Sequence, residues 1–194
     1  MEKTDRFPNP ASSSSILDDT LAASVPDAAT VTSDGRSLQR MIDGVSFREV
    51  PTHIDDRGTV FELYDTRWNW HAEPLVSSYC FTMRPGVVKG WSLHKEHEDR
   101  YIVLQGVMQV VLYDPRPDSP TCGQVYTTVL SEFNRRLFTF PKNIWHADFN
   151  IGDKEATVVN FPTRPYLHEK PDKYRLPIDT PLIPFKFPPG TRGG

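Results

Sequence analysis

Cysteine is scarce in this chain: Cys80 and Cys122 are the only two among 194 residues. Two thiols cannot staple a disulfide-dense scaffold, so the core must come from apolar packing. Basic residues are not in excess either. Twenty-two Lys and Arg stand against 25 Asp and Glu, for a net charge of −3. A nucleic-acid-binding basic face is therefore not expected, and only a local basic pocket remains open. No apolar run approaches the roughly 20 residues that a helical membrane span needs, so no membrane partner is expected. The opening "MEKTDRFPNPASSSSILDD" lacks the apolar core of a secretory signal. With two thiols, expected to be free, this predicts a reducing, cytoplasmic setting. Also missing are an internal repeat and a 3.6-residue apolar stripe over twelve residues, so a helical bundle is not expected.

What the chain does have is a sharp change of texture. Residues 1–43 are rich in Ser, Ala, Asp, Thr and Pro, which predicts a flexible N-terminal arm with a short helix over Ser15–Ala23. "SLQRMIDG" reads as one or two helical turns before the domain. From Val45 onward come short segments of β-branched and aromatic residues: "VSFREV", "TVFELYD", "SSYCFTMR", "RYIVLQG", "VMQVVLYD", "QVYTTVL", "RLFTFP" and "ATVVNFP". In "VMQVVLYD" the side chains of Met108, Val110 and Leu112 point one way and those of Val107, Gln109 and Val111 the other. Short strands at close spacing predict an all-β sandwich or barrel over residues 44–188. The stretch from Pro162 onward holds many of the 18 prolines and cannot form a central strand. It is expected to wrap the barrel, with residues 189–194 fraying.

Two segments carry the chemistry. "KGWSLHKEHEDRYIVLQG" contains Ser92, His94, Asp99 and Gly106, and "PKNIWHADFN" contains Pro141, Asn143, His146 and Asn150. Their spacings resemble the two motifs of the cupins, whose side chains converge inside a barrel from neighbouring strands. Ser92 stands where a cupin has its first histidine, His94 at the second and Asp99 at the glutamate. His94, Asp99 (or Glu98) and His146 would form a two-histidine, one-carboxylate set suited to Fe(II) or Mn(II). Against that, Ser92 removes a ligand. A histidine in a β-rich domain is most often structural, and only spacing lifts His94 and His146 above that reading. Glu96, His97 and Glu98 read as a solvated loop, and His53, His71 and His168 as surface residues. Trp91 and Trp145 suit core packing or a ligand-stacking rim, and Tyr166 and Tyr174 could cover the barrel mouth.

Further segments narrow the reading. "DDRGTVFELYD", "GVVKG", "LYDPRPDSPTCG", "LSEFN", "FPKNIWHADF" and "DTPLIPFKFP" follow one another in the order seen in the dTDP-4-dehydrorhamnose 3,5-epimerase family. The chain resembles that family from about Gly44 to Pro188, and the Ser-Pro-Thr block is the most specific part. The resemblance implies a double-stranded β-helix, the RmlC-like cupin jelly roll, assembled as a homodimer. It implies an isomerase that acts on a nucleotide-linked 4-keto-6-deoxy sugar and requires neither metal nor organic cofactor. A base takes the proton alpha to the ketone, a cation steadies the enolate oxygen, and an acid returns a proton. Carried over by position, His94 is the base and Lys89 faces a phosphate or the sugar oxygen. Arg57 and Glu62 contact the nucleotide, while His146 and Arg116 complete the substrate site. The chain departs from the pattern at Asn160, or Phe161, which stands where the family has its catalytic tyrosine; an amide cannot supply a phenol's proton, so Asn160 is expected to bind substrate there. "PGTRGG", after "DTPLIPFKF", offers no aspartate to orient the histidine, and Ser77 and Tyr79 replace the family's Gln and Asn. Epimerisation, ketoisomerisation, non-catalytic sugar binding and a metal-dependent cupin enzyme all remain open at this level.

Overall fold

The computed structural model describes residues 13–194. The first twelve residues of the expected arm therefore lie outside the described residues. Two compact units divide the chain at residue 39. In the first, α1 (Ser13–Ala23) starts two residues earlier than expected. It leaves Ile16, Leu17 and Leu21 exposed. Among the described residues no helix is long and apolar enough to cross a membrane.

The second unit begins at Arg40. "SLQRMIDG" forms no helical turn. Gly44 takes φ +86°, and Val45 N donates to Ile42 O at 3.0 Å, a tight turn that leads straight into a strand. Ile42, only 2% exposed, already belongs to the core. The strands are β1 (Ser46–Glu49), β2 (His53–Asp55), β3 (Gly58–Val60), β4 (Tyr79–Met83), β5 (Val87–Leu93), β6 (Asp99–Gln105) and β7 (Val107–Tyr113). They continue with β8 (Val125–Ser131), β9 (Arg136–Phe140), β10 (Trp145–Asn150), β11 (Ala156–Asn160), β12 (Tyr174–Arg175) and β13 (Arg192–Gly193). One sheet runs β1-β9-β6-β11-β4 and the other β12-β5-β10-β7-β8, with β13 added to β5. This is the expected all-β jelly roll.

Alternation along the strands builds the core. Tyr101, Val103, Phe138, Phe140 and Val158 of the first sheet pack on Met108, Val110, Leu112 and Leu130 of the second. Both sheets are covered on their outer faces as well, which is why "VMQVVLYD" alternates only weakly in hydrophobicity. Val111, on the outward side of β7, is fully buried with Val88, Trp91 and Ile183 of the proline-rich tail. Trp91 is thus a core residue.

The segment "TVFELYD" is strand only to Val60. Asp65 caps a 3-10 turn at Thr66–Trp68, and Asn69 adopts a left-handed φ of 46°. The turn brings Phe61, Tyr64, Trp68 and Trp70 over Ile102, Leu137 and Val159 on the outer face of the first sheet. Arg100, fully buried, pins this cover by donating to Glu73 O and Pro74 O at 2.9 Å and to Phe161 O at 2.6 Å. At the far end Arg192 and Gly193 do not fray. They pair in parallel with Val87 and Val88.

One glycine sets how closely the site strands approach. Gly90 on β5 has φ +145°, and a Cβ there would lie 2.6 Å from Ala147 Cα on β10. Gly90→Ala is expected to lower unfolding free energy by about 2–4 kcal/mol. A urea midpoint within error of wild type would contradict this close packing.

Candidate active site

Strands β4, β5, β6 and β10 turn one end of the barrel into a cavity of about 200 Å³. Period-two alternation decides which side chains enter it. His146 and Asp148 project inward from β10, Tyr101 from β6, and Tyr79 and Phe81 from β4. On β5, Ser92 pairs with His146 across the ladder and Lys89 with Asp148. His94 follows at the end of β5, and Lys173 reaches in from the tail.

Asp99, 1% exposed, sits behind the cavity as the hub of the site. Its Oδ2 lies 3.4 Å from His94 Nε2 and 3.8 Å from His146 Nε2, and its Oδ1 lies 3.8 Å from His97 Nε2. Asn160 Nδ2 donates to Asp99 Oδ1 and, at 2.9 Å, to Tyr79 Oη. Burial raises the Asp99 carboxyl, but the imidazoles and the Asn160 amide more than offset it and hold it below the ordinary range. Burial lowers His94, opposed by Asp99. Burial, with His94 adding to it, takes His146 down to about 3, so that ring is neutral.

The orientation of His94 fixes its tautomer. Nδ1 meets the main-chain carbonyl of Asp172. A carbonyl only accepts, so Nδ1 carries the proton and Nε2 keeps its lone pair beside Asp99. Asp172 is itself held, its carboxylate accepting from Lys95 N at 2.9 Å, Glu96 N at 2.8 Å and His97 Nδ1 at 2.9 Å. The tail residue Asp172 thus orients His94 through its main-chain carbonyl.

Several expectations are corrected here. His97 is not a solvated loop residue: its side chain is 11% exposed and its ring stacks on His94 at 4.0 Å. Glu98 and His71 are not free surface groups either, since His71 Nε2 meets Glu98 Oε2 at 2.9 Å. Of the residues carried over by resemblance, His94, His146 and Lys89 line the cavity. Asn160, fully buried, is a positioning residue that ties Asp99 to Tyr79 and accepts from Arg100 N at 3.0 Å. Arg57, Glu62 and Arg116 do not line it. Arg57 stands on the exposed β2–β3 hairpin, bonded to Asp55 at 3.2 Å. Glu62 borders a separate hollow beside Val50 and Trp68. Arg116 is bound to the buried Asp114 at 2.8 Å and donates to Asp43 O at 2.8 Å. The Ser-Pro-Thr block is thus a folded turn, where Ser119 and Thr121 also donate to Asp114 at 2.6 and 2.7 Å.

Sequence reading missed Tyr101, Asp148, Asp172 and Lys173. Tyr101 and Asp148 each lie two residues beyond a residue it had selected, Asp99 and His146, so strand periodicity pointed at both. Nothing in the local sequence marks Asp172 or Lys173. The donor atoms of His94, Asp99 and His146 lie within 4.8 Å of one another and could hold a divalent cation. Ser92, the ladder partner of His146, supplies no strong fourth ligand.

Residues 39–184 match the family model of dTDP-4-dehydrorhamnose 3,5-epimerase. The chain belongs to that family. A probable low-salt glycan biosynthesis epimerase, Agl13 of Haloferax volcanii, is 36% identical over 140 residues, 71% of this chain and 89% of its own length. The spore coat polysaccharide biosynthesis protein SpsL of Bacillus subtilis is 34% identical over 147 residues, covering 76% and 97%. Among solved structures, a dTDP sugar isomerase from Desulfovibrio desulfuricans superposes with a TM-score of 0.70 at 28% identity, over 75% of this chain and 91% of that one. Within this epimerase family the present chain lacks a phenol at Asn160. The phenols that meet its site come from the strands on either side of β11, Tyr79 on β4 and Tyr101 on β6.

Proposed function

We propose that this epimerase-family chain takes a proton alpha to the ketone of a nucleotide-linked 4-keto-6-deoxy sugar and returns one, with His94 as the base. The observation that carries the reading is the setting of His94. Its Nδ1 proton is committed to the Asp172 carbonyl, and its Nε2 lone pair is held beside a buried carboxylate at a cavity wall. Asp99 raises the proton affinity of that nitrogen and stabilises the imidazolium once it forms. The C–H electron pair moves into the enolate, and the ammonium groups of Lys89 and Lys173 attract the charge that grows on the ketone oxygen. The relatives named as a glycan biosynthesis epimerase and a dTDP sugar isomerase support the substrate class.

Incubation with a dTDP-4-keto-6-deoxyhexose in D2O tests this. Deuterium is expected at a carbon next to the ketone, in protein stripped of metal by chelation. Binding of the nucleotide sugar without uptake would make the chain a binding module. Uptake that needs added Fe or Mn would make it a metal-dependent enzyme.

The same reading includes a homodimer. Ile54 and Val60 stand 77% and 65% exposed on the β2–β3 hairpin, apolar surface that a second copy would cover. Light scattering is expected to give twice the chain mass of 22.1 kDa. A monomer at micromolar concentration would rule the dimer out.

A further inference from the structure

We propose that Asp148 is the acid partner of His94, returning a proton to the opposite face of the substrate carbon. This rests on the reading of the cavity as a proton-transfer site. Asp148 is 4% exposed and lines the cavity wall. Its Oδ2 meets Tyr101 Oη at 3.4 Å, while its buried Oδ1 has no hydrogen-bond partner among the described residues. A buried carboxylate with an empty oxygen is costly, whereas a carboxylic acid aimed at a ligand is not.

The neighbours of Asp148 favour that protonated form. Tyr101 Oη touches both Asp148 and, at 3.5 Å, Asp99. Two carboxyls sharing one hydroxyl do not both ionise cheaply. Asp99 has the Asn160 amide and three imidazoles around it, whereas Asp148 has none of these donors. Lys89 faces Asp148 across the ladder and Lys173 from the tail, and both favour its charged form. Burial and then Asp99 outweigh them and push the Asp148 carboxyl up to about 8.

The steps balance. His94 Nε2 takes the alpha proton, and the C–H pair becomes the enolate double bond. That pair then takes the Asp148 proton on the other face, which restores the ketone and leaves Asp148 as carboxylate. His94 has then gained the proton that Asp148 lost. The contacts His94 Nε2–Asp99 Oδ2, Asp99 Oδ2–Tyr101 Oη and Tyr101 Oη–Asp148 Oδ2, each 3.4 to 3.5 Å, form a line along which it can return.

Asp148→Asn keeps the shape and removes the acid proton. His94 can still take a proton and return a deuteron to the same face. The variant is therefore expected to keep deuterium uptake within about threefold of wild type, while inversion at that carbon falls about 100-fold or more. Inversion at the wild-type rate would overturn the assignment. So would loss of uptake and inversion together at an unchanged melting temperature, which is the mark of a structural role. Exchange without inversion in Tyr79→Phe, and not in Asp148→Asn, would move the acid to Tyr79. Absence of any uptake by wild type would remove the reaction itself. An infrared spectrum of the unaltered protein, labelled with 13C at aspartate carboxyls, needs no variant. A protonated-carboxyl band at neutral pH is expected, and its absence overturns the proposal even if Asp148→Asn does not fold.

Discussion

His94→Ala is expected to lower solvent-deuterium uptake into a 4-keto-6-deoxy nucleotide sugar by about 10³-fold, within the range that loss of a positioned base produces. The other candidates in the cavity are poor substitutes. His146 is held neutral with its basicity reduced to about 3, so it accepts a proton weakly near neutral pH. Burial, with Arg175 adding to it, lowers Lys173, but Asp99 and Asp148 oppose that, and an ammonium group has no lone pair to offer. The loss differs from that in Asp148→Asn because both uptake and inversion disappear. The pH dependence has a definite sign. His94 accepts a proton only when neutral, and burial lowers its midpoint below the ordinary histidine range. Wild-type uptake therefore rises with pH through a midpoint below that range and is already at its plateau at neutral pH. Uptake that survives in a folded His94→Ala protein would sink the assignment of the base.

Asp114→Ala is expected to produce the largest loss of stability, about 3–5 kcal/mol in urea unfolding. Asp114 is fully buried and accepts from Arg116 Nε at 2.9 Å, Arg116 Nη2 at 2.8 Å and the hydroxyls of Ser119 and Thr121. Truncation leaves a guanidinium and two hydroxyls without their acceptor. Burial raises this carboxyl, but Arg116 and the two hydroxyls hold it well below the ordinary range. A depressed carboxyl stabilises the fold above its unfolded value and loses that contribution as pH falls toward the folded one. The gap in urea midpoint between wild type and Asp114→Ala should therefore narrow on acidification below about pH 4. Residual folded Asp114→Ala is expected to keep the chemistry of His94, because the block lies away from the cavity. A midpoint shift under about 1 kcal/mol, the range of an exposed ion pair, would contradict the role given to this network.

The two predictions concern motifs that both stand out in the sequence, yet one is a site and the other a scaffold. The Ser-Pro-Thr block was the most specific mark of the family, and its arginine was expected to bind substrate. Only the hydrogen bonds from Arg116 to Asp114 and Asp43 O reveal a turn that locks the start of the domain. "HKEHEDR" read as a wet loop because its charges are adjacent. In the fold Lys95 and Glu96 do face solvent, while His94, His97 and Asp99 turn inward.

By itself the sequence determined the fold class, through short β-branched segments and a period of two that fixes which side chains share a face. It also determined the family, and the spacing of its two motifs brought His94 and His146 to the site, while Lys89 came only with the resemblance to that family. Only the tertiary structure decided what those residues meet. Alternation along β10 says that Asp148 shares a face with His146, but not that Tyr101 of the opposite sheet stands 3.4 Å away. The tail fixes the tautomer of His94 through Asp172, 78 positions later in the chain. Contacts of that kind come from strand order and register, which local periodicity does not encode.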